Sequence, residues 1–466
     1  MLKIYFLLLF FLCSFISISY GANDFYIEPY LQNVTQTSIT VQWWTDGSEE
    51  TNRVEYGKEF KYSSDASNNF IESTGKYLHR AVLTDLEPDC SYNYRVCSGS
   101  RISKEYIFHT AVTRNSPFTF AVIGDGRTDN DKIIARHRHI CDMAMKERVN
   151  LALIAGDEVC TGEQLHWARY WRQIVTASDE NNGGINFAST IPLYLVVGNH
   201  EIYNGEKSDR SGNLTTSMAR FKAYADNPPN MSKNPDWEER YYSFNYGVAT
   251  FIVLDTNSTS ALFYKNNKYL PAGETPDWEP GSEQYLWMLE ELKKAQKNSA
   301  FTFIVMHPSP YCRGTHGEPK QVQSGWHLRA LDCIFHKYGV DCVLSSHDHL
   351  VEHCLTGPAG YEEKMDKNDP NNLNYLVIGN SGEASRYAKE GWEQWMSIKE
   401  DGKPPYFTTY FYDWEGNNDR CSFLRAVITD KGKGLWNATF SVIRDDGNIF
   451  DEFNIERADP LYIKNQ

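Results

Sequence analysis

Positive charge is scarce in this chain. Across 466 residues, 46 Lys and Arg stand against 61 Asp and Glu, a net charge of −15. Duplex nucleic acids are held through clustered Lys and Arg that displace counterions, so that class of partner is excluded. Any anionic substrate must then find its positive charge locally, from a metal or a few aimed cations. Glycine (31) and proline (18) show no excess that would mark a fibrous chain, and 41% hydrophobic residues are too many for disorder. No internal repeat or low-complexity tract occurs. Beyond the N-terminus there is no further apolar run of about 18 residues, so no membrane span is expected.

What is present begins with an address. Met1 and Lys3 precede an apolar run from Ile4 to Ile18, followed by Ser19-Tyr20-Gly21-Ala22. A basic start, an apolar stretch and small residues at −3 and −1 describe a secretory signal peptide over residues 1–21, with a retained signal anchor as the alternative. The mature chain is expected to be secreted or otherwise exported. Removing Cys13 leaves nine cysteines, an odd number that cannot all pair within one chain. Cys312, Cys333, Cys342 and Cys354 lie close in sequence, and Cys90 and Cys97 flank one strand, but no connectivity follows. Five Asn-x-Ser/Thr sequons, at Asn33, Asn213, Asn230, Asn257 and Asn437, permit glycosylation without arguing for it.

Residues 24–113 alternate with period two. Ile39, Val41 and Trp43 interleave with Thr40, Gln42 and Trp44, and Tyr92, Tyr94 and Val96 with Asn93, Arg95 and Cys97. Turn-forming stretches separate the runs, which predicts a small antiparallel sandwich without catalytic features. From about residue 117 to 456 the pattern changes to short continuous apolar runs separated by amphipathic stretches, as expected of strands buried on both faces. The runs are Phe118 to Ile123, Leu151 to Ala155, Leu193 to Val197, Thr250 to Leu254, Phe301 to Met306 and Asp341 to Leu344. Helices are predicted over Asp131 to Glu147 and Ser282 to Gln296, and closing strands over Leu435 to Ile443 and Asn448 to Ile455.

Chemistry-bearing residues follow five of these runs. They are Asp125 in Gly124-Asp125-Gly126-Arg127, Asp157 in Gly156-Asp157, Asn199 and His200 in Gly198-Asn199-His200-Glu201, then His307, and His347 and His349 in Ser346-His347-Asp348-His349. Ligands in open α/β sheets bind at the carboxyl ends of the strands, so these side chains are expected to converge. Imidazole with carboxylate and carbonyl oxygen suits a pair of cations in the Fe, Mn and Zn range. A single Gly-Asp is usually a turn and a lone His a hydrogen-bonded structural residue; the joint pattern is far more specific.

The order of these motifs resembles that of the metallophosphoesterase (calcineurin-like) superfamily, and within it the purple acid phosphatases of the plant type. Val41-Gln42-Trp43, Val54-Glu55-Tyr56-Gly57, Leu86-Glu87-Pro88 and Tyr92-Asn93-Tyr94-Arg95-Val96 resemble that family's N-terminal domain. The resemblance implies an α/β metallophosphoesterase-type β-sandwich flanked by helices, preceded by an all-β fibronectin III-like domain. It implies that Asp157 bridges two metals, that Asp125 and His349 hold the first, and that Asn199, His307 and His347 hold the second. It implies that His200 faces the substrate phosphate and that His316 lies at the pocket mouth.

Three positions depart from the family pattern. Cys160 stands where the purple enzymes have the tyrosine whose phenolate gives their colour, and Arg127 where other superfamily members supply a histidine. Cys160 is read either as a thiolate ligand or as a buried neutral thiol. Arg127 is read either as a phosphate clamp or as an ion-pair partner of a carboxylate such as Asp125 or Asp157. Ser346 replaces a glycine, which matters only if φ is positive there. Glu201 is expected to be solvated or to orient His200. The expected function is a secreted two-metal phosphatase that attacks a small-molecule phosphomonoester with a metal-bound hydroxide, His200 and His316 assisting the leaving group. The alternatives are a phosphodiesterase or nucleotide hydrolase on the same site, and a binding protein whose metal site is degenerate. Oligomeric state is left open.

Overall fold

The computed structural model describes residues 25–175, 185–202, 214–257, 275–319, 324–357, 369–392, 407–412 and 420–464. The expected signal peptide and Asn213 lie outside these residues. The apolar runs form strands with both faces covered. In Phe118–Ile123, Phe120 and Val122 point into one core while Ala121 and Ile123 point into another. The first core lies between two sheets: Phe120 meets Phe251 and Phe303 across it, with ring centroids 5.1 and 5.5 Å apart. The second core is roofed by helices Asp131–Lys146 and Gln164–Ile174, through Ile140, Ala144, Trp167 and Trp171. On the far side, Ile304 and Val343 pack with Met288 and Leu292 of helix Glu283–Asn298. Alternate residues buried against different layers explain why these strands read as unbroken apolar runs.

Both long helices start where a side chain can satisfy free backbone N–H groups. Asn130 accepts from Lys132 N and Ile133 N, and Ser282 accepts from Tyr285 N. Observed strands differ from the expected ones mainly at their ends. Leu151–Ile154 and Leu193–Leu195 stop early, whereas Phe301–Pro308 and Cys342–Ser346 run on, so that His307 is still within its strand.

Among the described residues the larger sheet has ten strands, in the order Ile449–Ala458, Leu435–Arg444, Ser422–Gly432, Phe118–Ile123, Leu151–Ile154, Leu193–Leu195, Ile27–Gln32, Ile39–Thr45, Lys76–Leu83, Asn69–Ile71. The facing sheet has seven: Tyr242–Tyr246, Ala249–Val253, Phe301–Pro308, Cys342–Ser346, Leu373–Ile378, Val351–Thr356, Phe407–Tyr412. Phe118–Ile123, Leu151–Ile154 and Leu193–Leu195 run parallel, as do the four strands from Ala249–Val253 to Leu373–Ile378. A third sheet joins the strands at residues 52–65 and 91–109.

The N-terminal strands form an all-β unit, yet it is not closed on itself. Ile27–Gln32 pairs in parallel with Leu193–Leu195, through Gln32 and Leu193, so the large sheet runs through both parts of the chain. Ile39–Thr45 is consequently buried along its whole length, including the residues that alternation placed outward. Trp44 packs 4.5 Å from Tyr224 and donates from Nε1 to the Tyr30 hydroxyl over 2.9 Å. Helices of the later region cover that face, which period-two patterning alone does not disclose.

Among the described residues, none of the nine cysteines from Cys90 to Cys421 is joined in a disulfide. Three sequon asparagines, Asn230, Asn257 and Asn437, are buried with their amides in hydrogen bonds.

Candidate metal centre

The strand ends turn sharply, and three site residues carry the turn in their own backbones. Asp125, Asp157 and His347 have φ values of 54°, 58° and 74°, in the left-handed region that non-glycine residues rarely adopt. Such strain, about 1–2 kcal/mol per residue, persists only where surrounding contacts enforce it. The enforcing contacts are present. His347 N donates to Asp125 Oδ2 over 2.8 Å, and His200 N donates to Asp157 Oδ1 over 2.9 Å. Gly156 precedes Asp157 with φ 95°, and a Cβ there would lie 2.5 Å from His307 Nδ1. Ser346 is not among the positive-φ residues; the strained position is its neighbour His347. The Ser346 hydroxyl donates to Ala155 O over 2.6 Å and lies 2.9 Å from His307 Nδ1.

The six residues expected as ligands meet at this rim and are all buried. His307 Nε2 is 3.1 Å from Asp157 Oδ1, from Asn199 Oδ1 and from His347 Nδ1. His349 Nε2 lies 3.3 Å from Asp125 Oδ1. Donor atoms of Asp157, His307 and His347 all lie within 4.8 Å of one another. His307 donates from Nδ1 to Ala155 O over 2.8 Å, so Nε2 is the atom turned toward the other donors. Asp125 Oδ1 is buried without a hydrogen-bond donor. This donor set fits metal ions: imidazole, carboxylate and amide oxygen converge, and one buried carboxylate oxygen is otherwise unsatisfied.

The electrostatics reflect the same crowding. Burial, together with the nearby Asp157 carboxylate, pushes Asp125 up to about 7. Burial alone would raise Asp157, but His307 and His200 hold it well below the ordinary carboxylate range. Burial works against a charged His307, yet Asp157 holds its proton up to about 9. A cation held by His307 Nε2 would take the place of that proton, so loading would release protons. Burial pushes His200 and His349 down to about 3.

His200 donates from Nδ1 to Cys160 O over 2.6 Å, and its Nε2 lies 3.7 Å from Asp157 Oδ2. His316 is half-buried and packs on His347 with ring centroids 4.1 Å apart; among the described residues its Nδ1 has no hydrogen-bond partner. Both histidines therefore flank the cluster.

Two open readings are decided and one expectation is corrected. Arg127 is an ion-pair partner, of Asp129 and Glu383 rather than of Asp125 or Asp157: its Nε is 2.7 Å from Asp129 Oδ2 and 3.1 Å from Glu383 Oε1. Burial opposes its charge, but Asp157, Asp129 and Glu383 together raise its pKa further. Cys160 donates its thiol hydrogen to Asp129 Oδ1 over 2.7 Å and is not one of the grouped donors. Glu201 is fully buried rather than solvated, and it accepts from the backbone N–H groups of Asp157, Gly198 and Val159. It therefore ties two of the ligand loops together.

The sequence reading missed Asp129 and Glu383. Glu383 N donates to Asp125 O over 3.2 Å, and its Oε2 faces His349 Nδ1 at 3.8 Å. The signal was available: Tyr375 to Ile378 is another continuous apolar run, followed by Gly379-Asn380-Ser381-Gly382. It is a further parallel strand opening onto the same rim.

A two-layer α/β core with this rim of ligands defines a metal-dependent phosphoesterase. Comparison with known proteins specifies it further. Residues 26–110 match the purple acid phosphatase N-terminal domain, and residues 118–351 match the calcineurin-like phosphoesterase domain. Purple acid phosphatase 21 of Arabidopsis thaliana is 25% identical over 378 residues, covering 78% of this chain and 74% of that protein. Acid phosphatase type 7 of Mus musculus is 26% identical over 327 residues, covering 62% of this chain and 65% of that protein. In fold, the purple acid phosphatase of yellow lupin (Lupinus luteus) seeds matches with a TM-score of 0.70 at 18% identity, covering 94% of this chain and 75% of that one. PhoD matches with a TM-score of 0.62 at 16% identity, covering 95% and 92%. The chain belongs to the calcineurin-like phosphoesterase family, as a metal-dependent phosphatase of the purple acid phosphatase type.

Proposed function

We propose that this chain is an exported two-metal phosphatase acting on small phosphomonoesters. The observation that carries the reading is the gathering of ligand atoms into two sets, one around His307 and Asp157 and one around Asp125. Asp125 lies with His349 at 3.3 Å, while Asn199 and His347 gather 3.1 Å from His307. Asp125 and His349 would hold one ion, Asn199, His307 and His347 the other, and Asp157 both, with Fe, Mn or Zn as the suitable metals. Bound there, two such ions activate water and offset the charge that builds on the phosphoryl oxygens.

The chain's own groups supply the remainder. His200 is tethered through Nδ1 to Cys160 O, which holds its Nε2 toward the cluster. His316, packed on His347, brings a second ring with an uncommitted Nδ1. Protonated by the acidic ester or by solvent, either ring can give a proton to the leaving oxygen. Glu201 holds the Asp157 and Asn199 loops so that neither ligand must be reoriented when substrate arrives. Arg127 serves a phosphate oxygen only in competition with Asp129 and Glu383.

The test is metal content per chain by mass spectrometry on protein purified without chelators, with rates on an aryl phosphate, a bis-aryl phosphate and ATP. Close to two transition metals and a preference for the aryl monoester support the reading. A faster diester or ATP reaction replaces it with the alternative hydrolase. Absence of metal after incubation with Fe, Mn or Zn favours the binding protein. Export rests on the N-terminal apolar run, and N-terminal sequencing of protein from the culture medium tests it: a start at Ala22 supports cleavage, and retention of Met1 rejects it.

A further inference from the structure

A chain of net charge −15 must supply locally whatever positive charge an anionic substrate meets. Most basic side chains near the rim already have their acids. Arg127 lies between Asp129 and Glu383, Arg313 pairs with Glu352, Lys389 with Glu318, and Arg420 with Asp445 and Asp446. Arg386 differs. It is exposed, and among the described residues its guanidinium makes no ion pair or side-chain hydrogen bond.

Its backbone places it at the site. Arg386 N donates to His349 O over 2.5 Å. The segment leading to it is stitched to the first ligand loop, since Ser381 N donates to Gly124 O and Glu383 N to Asp125 O, over 3.1 and 3.2 Å. Ser385 Oγ then donates to Arg420 O over 3.1 Å. A Cβ on Gly382 would lie 2.4 Å from Gly126 O, so this loop and the first ligand loop are in direct backbone contact. The Arg386 charge lies within electrostatic reach of the His316 ring. A guanidinium without an acid among the described residues thus stands on a support fixed to the His349 backbone, within electrostatic reach of His316, one of the two rings assigned to the leaving oxygen.

We propose that Arg386 forms an anion subsite on the leaving-group side, which selects phosphomonoesters whose alcohol portion carries its own carboxylate or phosphate. The inference rests on the phosphatase reading and names a substrate class for it. The planar guanidinium fork suits either group in bidentate fashion. Because the arginine is exposed, the preference is modest and declines as salt is raised.

Three esters of one skeleton test it: phenyl phosphate, 4-carboxyphenyl phosphate and 1,4-phenylene bisphosphate, with the metal-loaded full chain. The wild type is expected to favour the two distally charged esters by about fivefold in kcat/KM. Arg386→Gln is expected to remove that preference through KM, and Arg386→Lys to keep part of it. A gain for one ester alone identifies whether carboxylate or phosphate is the group held. No preference in the wild type, or an equal loss on all three esters in Arg386→Gln, overturns the subsite. If none of the esters is hydrolysed, the phosphatase reading falls by itself. Calorimetry with phenylphosphonate and 4-carboxyphenylphosphonate then decides Arg386 separately, and equal affinities reject it.

Discussion

Asp157 N and Oδ1 are held from opposite sides, the first by Glu201 Oε2 and the second by His200 N. Since it is the backbone N–H of His200 that holds Asp157, His200→Ala should keep the metals while losing its imidazole chemistry. The expected kcat falls about 10²–10⁴-fold with metal content unchanged; loss of metal would make His200 a ligand instead. Glu383 acts through a neighbour. Its carboxylate faces His349 Nδ1 at 3.8 Å and Arg127 Nε at 3.1 Å. Carboxylates behind metal-binding histidines fix the ring and raise its basicity. Glu383→Gln keeps shape and backbone contacts but removes the charge. It should weaken metal binding by the apo-protein about tenfold in a calorimetric titration, and unchanged affinity would reject the role.

Among the elements, the short strand Leu193–Leu195 connects the most. It pairs with Leu151–Ile154 on one side and with the N-terminal strand Ile27–Gln32 on the other, and it leads into the Asn199 loop. Tyr194 on this strand donates to Val34 O over 2.9 Å and stacks on Phe244 of the facing sheet at 3.8 Å. One buried side chain thus touches the loop between the first two N-terminal strands, the central strands and the opposite layer. Tyr194→Phe should cost about 1 kcal/mol, the net worth of one hydrogen bond. Tyr194→Ala should cost about 3–5 kcal/mol by leaving a cavity where three parts of the fold meet. Urea unfolding of the two variants measures both, and equal, small losses would show that this junction is not coupled.

For the molecule as a whole, acid has a definite effect on stability through at least one carboxyl. Glu239 is half-buried, and its Oε2 has no hydrogen-bond partner. Burial pushes it from 4.5 up to about 7, with Arg80 opposing. Its folded pKa lies above the unfolded one, so the folded state holds the extra proton between those values. Its contribution is therefore fully present below about 4.5 and is lost as pH rises through 7. Glu239→Gln should flatten the fall in urea midpoint between pH 5 and pH 8, and an unaltered slope would place the titration elsewhere. Metal removal acts in the opposite sense to the proton: chelation should lower the melting temperature, because the ions bind only the folded arrangement of ligands.

The buried strands and the residues that end them were legible in the sequence because a strand covered on both faces must be apolar throughout, and a ligand must follow it at the rim. Asp125, Asp157, Asn199, His307, His347 and His349 all stand at such ends, and glycine beside several of them marks where backbone must pass close to a neighbour. The two long helices were legible for a related reason, since Asn130 and Ser282 stand where the first turn needs an acceptor. Contacts between distant segments were not legible. Period-two alternation describes one strand and its two faces, and it is blind to what lies above them. The burial of Trp44 and the pairing of Gln32 with Leu193 therefore came only with the tertiary structure. The same holds for Arg127, whose partners Asp129 and Glu383 lie two and 256 positions away and were chosen by the folding of another strand end onto the first. Charge pairs form by distance in space, and only the packed fold sets those distances.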